Sequence, residues 1–350
     1  MRRLARARAP LRLGFGGGGT DVSPYCDQFG GVVLNAAIDL FAHASVQSRD
    51  DGRVRLEAAD RGLDWTGPAG GVADSGAELR LLAGVYARMT AAFAPGTAPA
   101  LSLTTYADCP PGSGLGSSSA LVVAMVAAFC RYFDRELAPV EMARLAFEIE
   151  RQDLGLAGGR QDQYAAAYGG VSLMRFETDG RVAREALTTP PDVLEELEES
   201  LVLYFTGVSR ESAAIIAEQS DNMRKGAPRS MEGLHKLKAG ALAMREALEA
   251  GDLARFGALL DAGWADKKLT ASAISSAAMD EVYEAAKAFG VIGGKVSGAG
   301  GGGFMMFLID PTRREGLKRL LAGFGGQAQG CRLEAAGVRS WLVRNVGGDR

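Results

Sequence analysis

Apolar residues along this chain switch between two spacings, and the switches mark its elements. Residues 4–13 read as a strand that runs into a glycine cluster at 14–19, and Val32 to Val46 is apolar and β-rich. Another strand is predicted at 53–58, a helix at 78–93 from Leu79, Leu82, Val85, Tyr86 and Met89, and an alternating strand from Leu101 to Tyr106. A Pro/Gly/Ser loop at 110–119 leads into a nearly all-apolar helix, Ala120 to Phe133. Helices at 141–151 and 163–168 and a strand at 170–176 follow.

Pro190, Pro191 and an acidic run then change the composition, and the division is expected there, with one domain over 1–190 and a second over 191–350. The second half predicts a strand at 201–205. A helix bearing Leu234, Leu237, Ala241, Met244 and Leu248 stops at Gly251, and a return helix carries Leu253, Phe256, Leu259 and Leu260. A helix at 279–289, a glycine loop at 298–303, a strand at 304–309, a helix at 312–322 and a strand at 338–345 complete the pattern. Helical and strand periods mixed in this way predict an α+β fold.

Composition narrows the function. A length of 350 residues suits two packed domains rather than one core. A net charge of −3 argues against nucleic acid as a partner. With no run of about 18 apolar residues, no membrane span is expected. Cys26, Cys109, Cys130 and Cys331 are far apart and form no C-x-x-C pair, which fits a reducing cytoplasm. His43 and His235, the two histidines, have no metal or relay partner near them in sequence.

Two glycine loops carry the chemistry. The run Gly14-Phe15-Gly16-Gly17-Gly18-Gly19 satisfies G-x-G-x-x-G, with Asp39 about twenty residues on. Pro24 and Gly30-Gly31 leave too little room for the crossover helix of a dinucleotide fold, so that reading is set aside. Pro111-Gly112-Ser113-Gly114-Leu115-Gly116-Ser117-Ser118-Ser119 is more informative. Its alternating glycines let main-chain N–H groups converge, and its serines open a helix whose free N–H groups suit a polyphosphate. The plainer reading is a turn in which Ser117 caps the helix. The second loop, Lys295 to Gly303, fits either a backbone passing close to a ligand or a tight crossing between domains. Asp162, just before the short 163–168 helix, is a candidate acceptor for a hydroxyl proton, and Glu150 at the end of the preceding helix is a candidate Mg²⁺ ligand.

Ala9-Pro10-Leu11-Arg12 through Thr20-Asp21, then Pro111 to Ala120, then Lys295 to Gly303 together resemble the three ordered motifs of the galacto-, homoserine, mevalonate and phosphomevalonate (GHMP) kinases. The resemblance spans nearly the whole chain. It implies a ribosomal protein S5 domain 2-like N-terminal domain and a ferredoxin-like C-terminal domain, with ATP and Mg²⁺ in a cleft between them. By the same resemblance Asp162 and Arg12 are catalytic, and Ser118 and Glu150 hold the metal. The 111–119 loop with Gly300 and Gly301 binds ATP. Gly17, Gly18, Thr20, Asp21, Arg160 and Arg210 line the acceptor site, and Lys267 and Lys268 join the two arginines as possible partners of an acceptor phosphate.

Gly18 and Gly19 stand where galactokinases carry Glu-His, which points away from galactose. The phrases 13–22, 205–210 and 294–300 resemble the heptose 7-phosphate kinase branch, whose members phosphorylate an anomeric hydroxyl; the fucokinase branch shares much of the pattern. A sugar or sugar phosphate is therefore the expected partner, with a homodimer left open. A non-catalytic ligand sensor and a mevalonate-branch decarboxylase are the rival readings on the same scaffold.

Overall fold

The computed structural model describes residues 3–208 and 212–344. The N-terminal half is built on strands β1 (Leu4–Gly16), β2 (Gly31–Ser48), β3 (Arg53–Ala58), β4 (Leu63–Pro68), β5 (Leu101–Ala107), β6 (Val171–Phe176) and β7 (Val182–Ala186). Its helices are α1 (Tyr25–Phe29), α2 (Arg80–Phe93), α3 (Ser117–Tyr132), α4 (Pro139–Phe147) and α5 (Gln161–Tyr168). The C-terminal half supplies α6 (Pro191–Ser200), β8 (Leu201–Phe205), α7 (Ser212–Arg224), α8 (Pro228–Glu249), α9 (Leu253–Lys268) and α10 (Ala277–Phe289). It ends with β9 (Gly293–Val296), β10 (Phe304–Leu308), α11 (Arg314–Ala322), β11 (Gln327–Gln329) and β12 (Arg339–Leu342).

The first sheet runs β12-β1-β2-β5-β3-β4, with β6 on β2 and β7 on β6; the second runs β11-β8-β10-β9. β2 is long enough to change partners, pairing β6 over residues 31–36 and β5 over 42–48. Ala5, Ala7, Ala9, Leu11 and Leu13 alternate along β1 and are buried, the last four in one core with α3, whose Val122 to Phe129 segment is wholly enclosed. That is why α3 reads as apolar all round. The register of β1 against β2 shifts between Pro10 and Leu11. A proline in a central strand is tolerated at such an irregularity, and the shift immediately precedes Arg12.

Three features differ from the sequence reading. Residues 191–200, which carried no predicted element, form a helix: Pro191 sits at its first turn and Leu197 anchors it in the core. Short edge strands β4, β7 and β11 were not legible, since an edge strand needs no apolar face. The last strand, β12, returns to the first sheet and pairs with β1 antiparallel. Among the described residues, no helix is long and apolar enough to cross a membrane, and no His, Cys, Asp or Glu group is arranged to hold a metal by itself. The four cysteines are buried and free.

Candidate active site

The 111–119 loop wraps the start of α3. Gly112, Gly114 and Gly116 all take positive φ, near 71°, 80° and 76°, which L side chains rarely adopt. α3 begins at Ser117, not after the serines, and its N-terminus has no side-chain cap. The capping reading of Ser117 is thereby corrected, and the start of the helix keeps its N–H groups uncapped by side chains. Ser118 is exposed there. Ser119 and Ser113 are buried; Ser113 Oγ lies 3.0 Å from Cys109 Sγ, and Leu115 packs into the core.

The two glycine loops meet main chain to main chain. Phe304 N donates to Ser113 O at 2.9 Å, and Ser297 Oγ donates to Gly114 O at 3.0 Å. A Cβ on Gly114 would stand 2.5 Å from Ser297 O, and one on Gly298 would stand 2.8 Å from Gly114 O. Gly298 and Gly303 of the second loop are therefore explained by this crossing, since a Cβ on Gly303 would stand 2.3 Å from Ser113 O. Gly301 N–H donates to Ile274 O at 2.8 Å, so it is spent within the protein and is not offered to a phosphate; Gly300 presses on the same Ile274 backbone.

Arg12 stands at the junction. It is 5% exposed; Nε donates to Asp162 Oδ1 at 2.6 Å and a terminal nitrogen donates to Gly114 O at 2.6 Å. One guanidinium thus ties the carboxylate to the loop, a charge-assisted bond in a dry setting. Asp162 lies in the first turn of α5, not before it, and stays partly open, with its side chain 24% exposed. Gly116 makes the approach possible, because a Cβ there would be 3.1 Å from the Asp162 carboxyl carbon.

Asp21 fixes α5. Its two carboxyl oxygens accept from Gly19 N, Arg160 N, Gln161 N and Gln161 Nε2 at 3.0–3.2 Å, an anion satisfying the free N–H groups of a helix start. Gly159 must be glycine for this, since a Cβ would fall 1.9 Å from Asp21 Oδ2. Thr20 is fully buried and its hydroxyl bonds Gly17 O, Val32 O and Val32 N. It closes the glycine turn onto β2 instead of facing a ligand, which corrects its assignment to the acceptor site. Gly17 likewise abuts Val32, while Gly18 is half-buried. Arg160 turns its guanidinium to Gly180 O at 3.0 Å and over the Phe147 ring. Arg210 lies outside the described residues.

Glu150 sits in a π-helical turn, Glu148–Asp153, that follows α4. It is 1% exposed, and burial raises its pKa against the opposing influence of Arg151 and of hydrogen bonds from Ser119 and Gln163. Oε1 lies 3.5 Å from Ser118 Oγ, and Oε2 accepts from Gln163 Nε2 at 2.5 Å. Gln163, which also donates to Ser119 Oγ at 3.1 Å, was missed in the sequence, although it stands next to Asp162. Ser297 was missed as a partner of Arg12 and Gly114.

Two buried lysines reach the glycine segment from the other half. Lys295 Nζ donates to Gly14 O at 2.6 Å and Lys267 Nζ to Gly18 O at 2.9 Å. Burial pulls Lys295 down to about 7, helped by the nearby charges of Lys267 and Arg12. Burial also pulls Lys267 down to about 8, with Asp21 opposing and Arg12 assisting. Both values lie below those of the unfolded chain, so between about pH 7 and 10 unfolding takes up protons and stability rises with pH. Below about pH 7 both lysines are charged in either state and this dependence vanishes. The stability measured by urea unfolding should therefore rise from pH 6.5 to 8.5, Lys295 and then Lys267 each contributing a slope of up to about 1.4 kcal/mol per pH unit as it titrates. Lys295→Met should remove its share of that rise and leave the part owed to Lys267; an equal slope in the variant would discount the burial of this ammonium.

A main-chain loop at an uncapped helix start, with an arginine–carboxylate pair bonded to it, has the groups that phosphoryl transfer by a small-molecule kinase needs. Comparison with known proteins agrees. Residues 80–170 match the family description "GHMP kinases N terminal domain" and residues 244–324 match "GHMP kinases C terminal". The D-glycero-alpha-D-manno-heptose 7-phosphate kinase of Campylobacter jejuni is 38% identical over 97% of this chain and 99% of its own. The L-fucokinase/L-fucose-1-P guanylyltransferase of Bacteroides fragilis is 29% identical over 90% of this chain, which spans 35% of that longer enzyme. A solved D-glycero-D-manno-heptose 1-phosphate kinase from Bacteroides thetaiotaomicron superposes with a TM-score of 0.81 at 37% identity, covering 97% of this chain and 100% of that one. This chain belongs to the GHMP kinases and has their two-domain fold. It is an ATP-dependent kinase of the sugar-kinase type.

Proposed function

We propose that the protein transfers the γ-phosphoryl group of ATP to the anomeric hydroxyl of a heptose 7-phosphate, giving the 1,7-bisphosphate. The observation that carries the reaction is the Arg12–Asp162 pair bonded directly to the ATP loop through Gly114 O. The acceptor class is supported by the 38% identical Campylobacter jejuni relative and by the side-chain-free Gly17-Gly18-Gly19 segment, where a Cβ on Gly18 would stand 3.9 Å from Gln161, the neighbour of Asp162. The N–H groups of 112–119 and the start of α3 hold the phosphates. Asp162 takes the proton of the attacking hydroxyl as its oxygen bonds to the γ-phosphorus and the bond to the departing ADP oxygen breaks. Arg12 orients Asp162 through its 2.6 Å hydrogen bond and offsets the charge that develops.

Ser118 and Glu150 fit Mg²⁺. A buried carboxylate whose charge is only partly offset by Arg151, at 3.7 Å, faces a hydroxyl at the open helix start, and hard oxygens are what this ion takes. When bound, Mg²⁺ supplies charge neutralisation at the phosphates. Gln163 orients Glu150 through its amide. Asp21 acts as a positioning residue, because capping α5 sets where Asp162 points.

The test is a panel of sugars and sugar phosphates incubated with ATP and Mg²⁺ and read by ³¹P NMR. A new anomeric phosphate on heptose 7-phosphate is expected. Turnover of fucose alone would favour the fucokinase branch, and transfer to a non-anomeric hydroxyl would overturn the regiochemistry.

A further inference from the structure

An acceptor that carries its own phosphate needs a cation at the end away from the reacting hydroxyl. Most basic groups around the glycine segment are already engaged. Arg12 holds Asp162. Arg160 bonds Gly180 O, lies 5.2 Å over the Phe147 ring and sits 3.8 Å from Asp27. Lys268 points away, 3.5 Å from Asp280 and 5.5 Å over the Trp264 ring.

Lys267 differs. It is 5% exposed, donates to the carbonyl of Gly18, and has no carboxylate at ion-pair distance among the described residues. An ammonium carries three donors, and a buried one facing a neutral carbonyl is poorly compensated. A bound anion would compensate it. The segment itself places no side chain over the ammonium. Gly18 is its half-buried residue, and a Cβ on Gly19 would stand 3.1 Å from Lys267 Nζ.

The groups also come in a chemically sensible order. Arg12 with Asp162 stands at one end, Lys295 on Gly14 O in the middle, and Lys267 on Gly18 O at the other. We propose that Lys267 recognises the phosphate of the acceptor, the group distal to the hydroxyl that is phosphorylated. This rests on the phosphorylated-acceptor reading above. Lys295, one step nearer the transfer centre, adds positive potential along the same track but has the carbonyl of a fully enclosed glycine as its partner. The absence of side chains at 18 and 19 then has a purpose beyond the turn, since a bulky pair there would come between the ammonium and the acceptor.

The experiment compares kcat/KM for heptose 7-phosphate with that for the dephosphorylated heptose, in the unmodified chain and in Lys267→Met. MgATP binding by calorimetry serves as the check on folding. The unmodified chain should prefer the phosphorylated sugar, and the ratio should fall by about thirtyfold or more in the variant, with Lys267→Arg restoring part of it. Should the methionine variant fail to bind MgATP, Lys267→Gln, which keeps a donor without the charge, gives the same reading. A preference that survives in the folded variant would overturn the role of Lys267 and leave the acceptor assignment standing. No preference in the unmodified chain would remove the phosphorylated-acceptor reading and this subsite with it.

Discussion

Asp162→Asn is expected to lower kcat by about 10²–10⁴-fold while leaving MgATP affinity within a few-fold. The amide keeps the shape of the carboxyl and one oxygen for Arg12 Nε, so the 2.6 Å contact has an isosteric substitute. What it loses is the negative charge that takes the hydroxyl proton and balances the buried guanidinium. In the proposed mechanism the phosphates are held by residues 112–119, a loop of which Asp162 is no part. Steady-state kinetics with saturating acceptor and calorimetry with magnesium nucleotide separate the two effects. A variant turning over at a near-normal rate would take Asp162 out of the chemistry. A variant that cannot bind nucleotide would mean that the pair shapes the cradle instead.

Gly114→Val should abolish measurable MgATP binding at micromolar concentrations and lower the stability of the chain by about 3 kcal/mol or more. Two causes add. The residue has φ near +80°, a conformation that a β-branched side chain resists, and its Cβ would lie 2.5 Å from a main-chain oxygen that cannot swing aside. Relief requires the two glycine loops to part, which also withdraws Gly114 O from Arg12 and from Ser297. Gly96→Val is the matched control. Gly96 has φ near +75°, and a Cβ there would meet nothing within 4 Å, so it bears the backbone strain without the clash. That variant should lose only about 1 kcal/mol and bind nucleotide normally. Equal behaviour of the two variants in urea unfolding and calorimetry would show that the contact between the loops is dispensable.

The residues that read clearly in the sequence are those whose local chemistry is self-sufficient. Gly112, Gly114 and Gly116 announce a loop with positive φ, and they have it. The seam of α8 is visible because Leu234, Leu237, Ala241, Met244 and Leu248 keep a helical period, and all five are buried. Less legible was what each polar residue faces. Thr20 and Asp21 read as a pair on the acceptor side. Folding buries the Thr20 hydroxyl among main-chain groups and turns Asp21 onto the start of α5. Gln163 carries no periodic or compositional signal. Its importance comes from a 13-residue separation from Glu150 that a π-helical turn and a reversal of the chain close to 2.5 Å.

By itself, the sequence determined the order of the longer strands and most helices, the two places where main chain is left bare of side chains, and the supply of one acid and one arginine near them. Those properties depend on φ preferences, side-chain periodicity and the donor groups of a helix start, all of which act over a few residues. Tertiary structure decided the rest. It pressed residue 114 against residue 297, set Arg12 between Asp162 and the 112–119 loop, and brought Lys267 249 residues along the chain to Gly18. These contacts join segments far apart in sequence, and only the packing of the two sheets and their helices, which buries apolar faces without regard to chain distance, could choose which polar groups would meet.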